Sequence, residues 1–258
     1  MTAIAVLWAA VAALCGMVAV RATSVAALAA ATWVGGNALL VLVSMTVGSP
    51  TGGLALTGAP ARVLAKTPTG TRSAVGRAAL APWRWVSRAL VAVAGHGAPW
   101  STVPGTLIAV GPLQTMPQWF AAGGAGTHTV LDLTAEWEWA QEWQWSVTGF
   151  AAADAARPAV HCLPLLDDCM CSPAYLVAAL RAALGTEVLS RRRIYVGCMF
   201  GVGRSAAVGA LLAAALHGDK YRTVDAALAA LRTVRPQAAP TALQLRAARG
   251  ALELLRAP

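Results

Sequence analysis

Between Ile194 and Leu216 the chain runs from an apolar stretch, through Cys198-Met199-Phe200-Gly201-Val202-Gly203-Arg204-Ser205, into an Ala-rich run of helical spacing. Strand, glycine-bearing loop, helix is an order that belongs to α/β architecture, where the loop lies at the carboxyl end of a strand. Gly201 and Gly203 permit backbone dihedrals that a Cβ would forbid. N–H groups in such a loop converge on an anion at the helix N-terminus. Arg204 carries a planar fork that can grip two phosphate oxygens. Loop amides, the helix dipole and the arginine all favour a thiolate at Cys198, which is the nucleophilic form of cysteine. Met199, Phe200, Gly201, Val202, Gly203 and Arg204 are thus the expected phosphate-binding loop, with Cys198 as nucleophile.

The octet resembles the signature loop of the cysteine-dependent protein tyrosine and dual-specificity phosphatases. That resemblance implies a phosphate-monoester hydrolase working through a phosphocysteine intermediate, with no metal or cofactor. It also implies an aspartate about thirty residues before the cysteine, to protonate the leaving oxygen. Leu163-Pro164-Leu165-Leu166-Asp167-Asp168 lies at that distance. Asp167 follows the apolar run as the family's acid does, and Asp168 is the alternative. Ser205, next to the arginine, is expected to hydrogen-bond the departing sulfur. Thr129-Val130-Leu131-Asp132-Leu133-Thr134-Ala135-Glu136 looks like an opening strand of the family. Arg235-Pro236 with Gln244-Leu245 looks like its C-terminal segment. The likeness covers roughly residues 100 to 255, and in particular is similar to bacterial membrane-attached dual-specificity-type phosphatases. The chain departs from the family at Gly197, where a histidine usually precedes the cysteine, and no lysine lies in the loop.

The N-terminal part has a different character. Of all residues 57% are hydrophobic and 12% charged, an apolar excess for a soluble domain. Ala3–Val20 and Val25–Gly48 are uncharged apolar runs of 18 and 24 residues. A helix of about 20 residues crosses the hydrocarbon core, so residues 1–48 are expected to form two transmembrane helices joined as a hairpin. Arg62, Lys66, Arg72, Arg77, Arg84 and Arg88 follow with no acidic residue among them. The positive-inside rule then places the catalytic domain in the cytoplasm, beneath an inner or plasma membrane. Residues 49–96 read as a basic linker, in which Arg77, Trp83, Arg84, Trp85 and Arg88 suit either a helix at the headgroup zone or one packed on the domain. The net charge of +9 is assigned to attraction to an anionic leaflet, and no nucleic-acid-binding module is present. Oligomeric state has no sequence signal.

Residues 97–258 are expected to form the catalytic domain, large enough for one core. Apolar runs at 106–110, 129–133, 159–165 and 194–197 read as strands. Runs at 173–184, 204–217, 222–234 and 241–256 have helical spacing. Their alternation predicts an α/β phosphatase-like domain with a largely parallel central sheet flanked by helices. The expected substrate is a phosphorylated protein, with a phospholipid headgroup as the alternative, and the expected partner is the membrane. A phospho-binding protein without turnover is the rival class, supported by Gly197. Cys169 and Cys171 are candidates for a disulfide with oxidised Cys198. The segment Glu136–Trp145 alternates tryptophan with acid and has no function assigned.

Overall fold

The computed structural model describes residues 98–122, 128–134, 159–165, 172–184 and 193–257, together with residues 13 and 35. The two long apolar runs, the basic linker, the Trp-rich segment and the Asp167–Asp168 pair lie outside the described residues. Among the described residues no helix is long and apolar enough to cross a membrane.

Among the described residues five strands form one sheet: β1 (Ser101–Thr102), β2 (Ile108–Pro112), β3 (His128–Thr134), β4 (Ala159–Leu165) and β5 (Arg193–Cys198). The order across the sheet is β1-β2-β5-β3-β4. β1 runs antiparallel to its neighbour; the β2–β5, β5–β3 and β3–β4 pairs are parallel. The last strand in sequence therefore occupies the middle of the sheet. A parallel central strand is covered on both faces and reads as a continuous apolar run, as Ile194-Tyr195-Val196 does.

Alternation along the strands separates two cores. Ile108, Val110, Leu131, Leu133, Ile194 and Val196 face one side. There they meet α2 (Pro173–Leu184), α3 (Arg204–Leu216), α4 (Val224–Val234) and α5 (Ala242–Arg256). Ala109, Val130 and Tyr195 face the other side, against Leu113, Met116 and Trp119. Met116 and Trp119 belong to α1 (Met116–Ala122), entered through a 3-10 turn at Leu113–Thr115. The helix α3 is buried along nearly its whole length, because small alanines let it lie close to β2 and β5. Thr223 caps α4 by accepting from the Ala226 amide. Thr241 and Gln244 form a reciprocal capping box at the start of α5.

The four predicted strands and four predicted helices are present; those at 159–165 and 173–184 keep the expected ends, and the others shift by one or two residues. The strand expected at 106–110 is Ile108–Pro112, because Thr106 closes a turn: its hydroxyl donates to the Val103 carbonyl and accepts from the Ile108 amide. The strand β1 and the helix α1 were not anticipated. One has two residues, and the other has seven with Pro117 in second place, too few for a periodicity to declare itself.

Candidate active site

Cys198 is the last residue of β5, and its side chain is 2% exposed. Its sulfur lies 3.2 Å from the Gly201 amide, which donates to it, and 3.2 Å from the Ser205 hydroxyl. The chain turns so tightly because Gly201 has φ +69°. A Cβ there would come 2.5 Å from the Gly111–Pro112 peptide, so only glycine fits the turn. Arg204 and Ser205 open α3, and both are fully buried. The predicted loop, Cys198 through Ser205, is thus gathered at the carboxyl end of the central strand and the amino end of a buried helix. Of its residues Met199 and Gly201 are buried, while Phe200, Val202 and Gly203 are half-exposed.

Arg204 also reaches across the sheet. Its Nη1 donates to the Leu165 carbonyl at 2.5 Å, with the Leu133 carbonyl 3.4 Å away. These are the carboxyl ends of β4 and β3. The guanidinium therefore ties the loop to the strand end from which Leu166 and Asp167 continue. Asp167 and Asp168 themselves lie outside the described residues, as do Cys169 and Cys171. Cys198 carries a free thiol.

Three neighbours of the loop carried no assigned role in the sequence reading. Asp132, at the end of β3, is fully buried and accepts from the Thr134 amide and hydroxyl at 2.8 and 2.6 Å. The Cys162 thiol donates to its other oxygen at 3.5 Å. Tyr195 lies under the loop and donates to the Pro112 carbonyl at 2.6 Å. Burial pushes its phenol well above the ordinary tyrosine range, opposed by the Thr115 hydroxyl 2.8 Å away. It stays protonated and keeps its donor role. Arg235, fully buried, donates from Nε to the Gly201 carbonyl at 2.7 Å. The only sequence sign of that role was an arginine followed by a helix-stopping proline.

Gly197 stands where the resemblance expects histidine, and the space for a side chain there is already filled. A Cβ would lie 2.7 Å from Leu113 Cδ1 and 3.2 Å from the Tyr195 ring. We expect Gly197→His to lose stability, by roughly 1–3 kcal/mol for overpacking, and to gain no activity. A thermal melt beside a rate measurement checks both; an unchanged midpoint with faster turnover would contradict the packing argument.

Several solved structures are similar to this chain in fold. A crystal structure of PTPMT1 in complex with PI(5)P is 17% identical, at TM-score 0.45, over 61% of this chain and 96% of that one. Human DUSP28 is 20% identical, at TM-score 0.41, over 62% of this chain and 96% of that one. Tk-PTP in its active form is 20% identical, at TM-score 0.41, over 61% and 98% respectively. Identities below 25% at TM-scores below 0.5 describe a likeness of fold and carry nothing about activity. No protein-family model and no curated protein matches the chain.

Proposed function

We propose that this chain is a membrane-anchored, cysteine-dependent phosphatase that hydrolyses phosphate monoesters of tyrosine, serine or threonine in proteins. The observation that carries the reading is the placement of the Cys198 sulfur, 3.2 Å from both the Gly201 amide and the Ser205 hydroxyl, with Arg204 at the head of the next helix. In this reading the Cys198 thiolate attacks phosphorus while the ester oxygen departs and takes a proton from Asp167. Arg204 and the amides of residues 199–204 hold the equatorial oxygens, an arrangement that usually supplies the largest part of catalysis. Water then attacks the thiophosphate and gives its proton to Asp167. The S–P bond breaks, and inorganic phosphate and the Cys198 thiolate are restored.

The decisive assay is phosphate release by the full-length protein in detergent, without added metal, on a phosphotyrosine peptide and on a short-chain phosphatidylglycerophosphate. Cys198-dependent release from the peptide supports the proposal. Preference for the lipid would favour a headgroup phosphatase, a reading suggested by the two apolar runs and the arginine-tryptophan stretch before the domain. Phosphate binding without release would leave a phospho-binding protein. Extraction of cell membranes with alkaline carbonate tests the anchor: the protein is expected in the pellet, and its recovery in the supernatant would remove the membrane from the proposal.

Ser205 gives a further expectation. A hydroxyl 3.2 Å from the sulfur favours sulfur that leaves as thiolate, and a hydrogen bond to a charged group is worth ~1.5–3 kcal/mol. Ser205→Ala should slow hydrolysis of the phosphocysteine by ~10–100-fold while leaving its formation nearly intact. Rapid-mixing assays would then show a burst of released alcohol ahead of slow turnover. A variant slowed equally in both steps would deny Ser205 this role.

A further inference from the structure

Arg235 leaves the end of α4 and turns inward, with no exposed surface. A buried guanidinium without partners is costly, and Arg235 has two backbone acceptors. Nε donates to the Gly201 carbonyl at 2.7 Å and Nη1 to the Ala98 carbonyl at 3.1 Å. Its Nη2 is buried, has no hydrogen-bond partner among the described residues, and lies against Gly201. Burial pulls the group below the ordinary arginine range, and the neighbouring Tyr195 and Cys198 oppose this. Four residues beyond, the Ala239 amide donates to the Val202 carbonyl at 3.1 Å.

Two successive loop carbonyls are therefore drawn toward the same connection between α4 and α5. In a trans peptide the C=O and the next N–H point in opposite directions, and the described chain has no cis peptide. Turning the Gly201 and Val202 carbonyls toward the connection turns the Val202 and Gly203 N–H groups away from it. Those two N–H groups donate to no protein acceptor among the described residues. Consecutive N–H groups set free in this way form an anion-binding concavity.

We propose that Arg235 is a positioning residue of the loop: with the Ala239 amide it holds two carbonyls outward and so presents the Val202 and Gly203 amides to a bound phosphoryl group. This rests on the phosphatase reading above. Arg235 does not touch the substrate; it acts through the Gly201–Val202 peptide.

The test uses full-length protein in detergent and inorganic phosphate as the probe. Arg235→Lys keeps the charge but replaces a rigid fork, which reaches two carbonyls from separate nitrogens, by a single nitrogen on a flexible stem. Well below its melting temperature it should bind phosphate ~10²-fold more weakly and lose turnover to a similar degree. A folded Arg235→Lys with wild-type phosphate affinity and kcat, and merely a lower Tm, would reduce Arg235 to a structural residue and overturn the proposal. Should the variant not fold, the wild-type protein decides the matter. With valine and glycine labelled with nitrogen-15, saturating phosphate should shift the Val202 and Gly203 amide resonances. A response at Gly201 with silence at Val202 and Gly203 would sink the proposal alone. Silence of every loop amide would remove the phosphate cradle, and the phosphatase reading with it.

Discussion

Cys198→Ser should fold as the wild type does, bind inorganic phosphate, and turn over substrate more slowly by ~10⁴-fold or more. The geometry makes this the largest single effect expected in the chain. The sulfur is buried at a strand end and accepts from the Gly201 amide. Serine places a hydroxyl at nearly the same point, so the amide and the Ser205 hydroxyl keep a partner. A hydroxyl there stays protonated at neutral pH, and an alkoxide is a poor leaving group for the second step. Binding relies on Arg204 and the loop amides, which the substitution leaves alone. Calorimetric titration with phosphate beside a rate assay separates the two properties. Residual turnover within a hundredfold of the wild type would take the nucleophile's role from Cys198. Lost phosphate binding in a folded variant would mean that the sulfur shapes the loop.

What was legible in the sequence follows the distance over which each feature is built. The octet could be read because strand, turn and helix N-terminus are contiguous, and each needs residue types that announce themselves: an apolar run, Gly201, then a string of alanines. That the loop ends a central strand could be read, but which strands flank β5 could not. Alternating strands and helices predict parallel pairing but not that the last strand inserts between β2 and β3. The loop's supports were hidden for the same reason. Tyr195 reads as one more apolar residue until Pro112 and Thr115 are brought to it from the end of the neighbouring strand β2 and the turn after it. Arg235 reads as a helix-end cation until the fold sets it against Gly201. Gly197, read as a missing histidine, turns out to be a position already occupied by Leu113 and Tyr195. A departure from a motif looks like a defect in one dimension and like a different packing solution in three.

Asp167 carries the second large effect, and its place in the chain explains why the loss should depend on substrate. Arg204 holds the Leu165 carbonyl at 2.5 Å, so the residue proposed to grip phosphate also fixes the strand end two residues before Asp167. A general acid delivered from that point must reach the ester oxygen opposite Cys198. Removing such an acid costs ~10²–10⁴-fold where the leaving oxygen is basic. Asp167→Ala should therefore lose about that much on a phosphoserine or phosphotyrosine peptide. On an aryl ester with a strongly acidic phenol, which departs without a proton, the loss should shrink to a few-fold. Parallel rates across a series of aryl phosphates give the slope directly: it should be shallow in the wild type and steep in Asp167→Ala. If Asp167→Ala keeps a shallow slope and Asp168→Ala acquires the steep one, the acid is the next residue along. If neither changes the slope, the proton comes from outside the run 163–168, and the spacing to Cys198 that singled it out was coincidence.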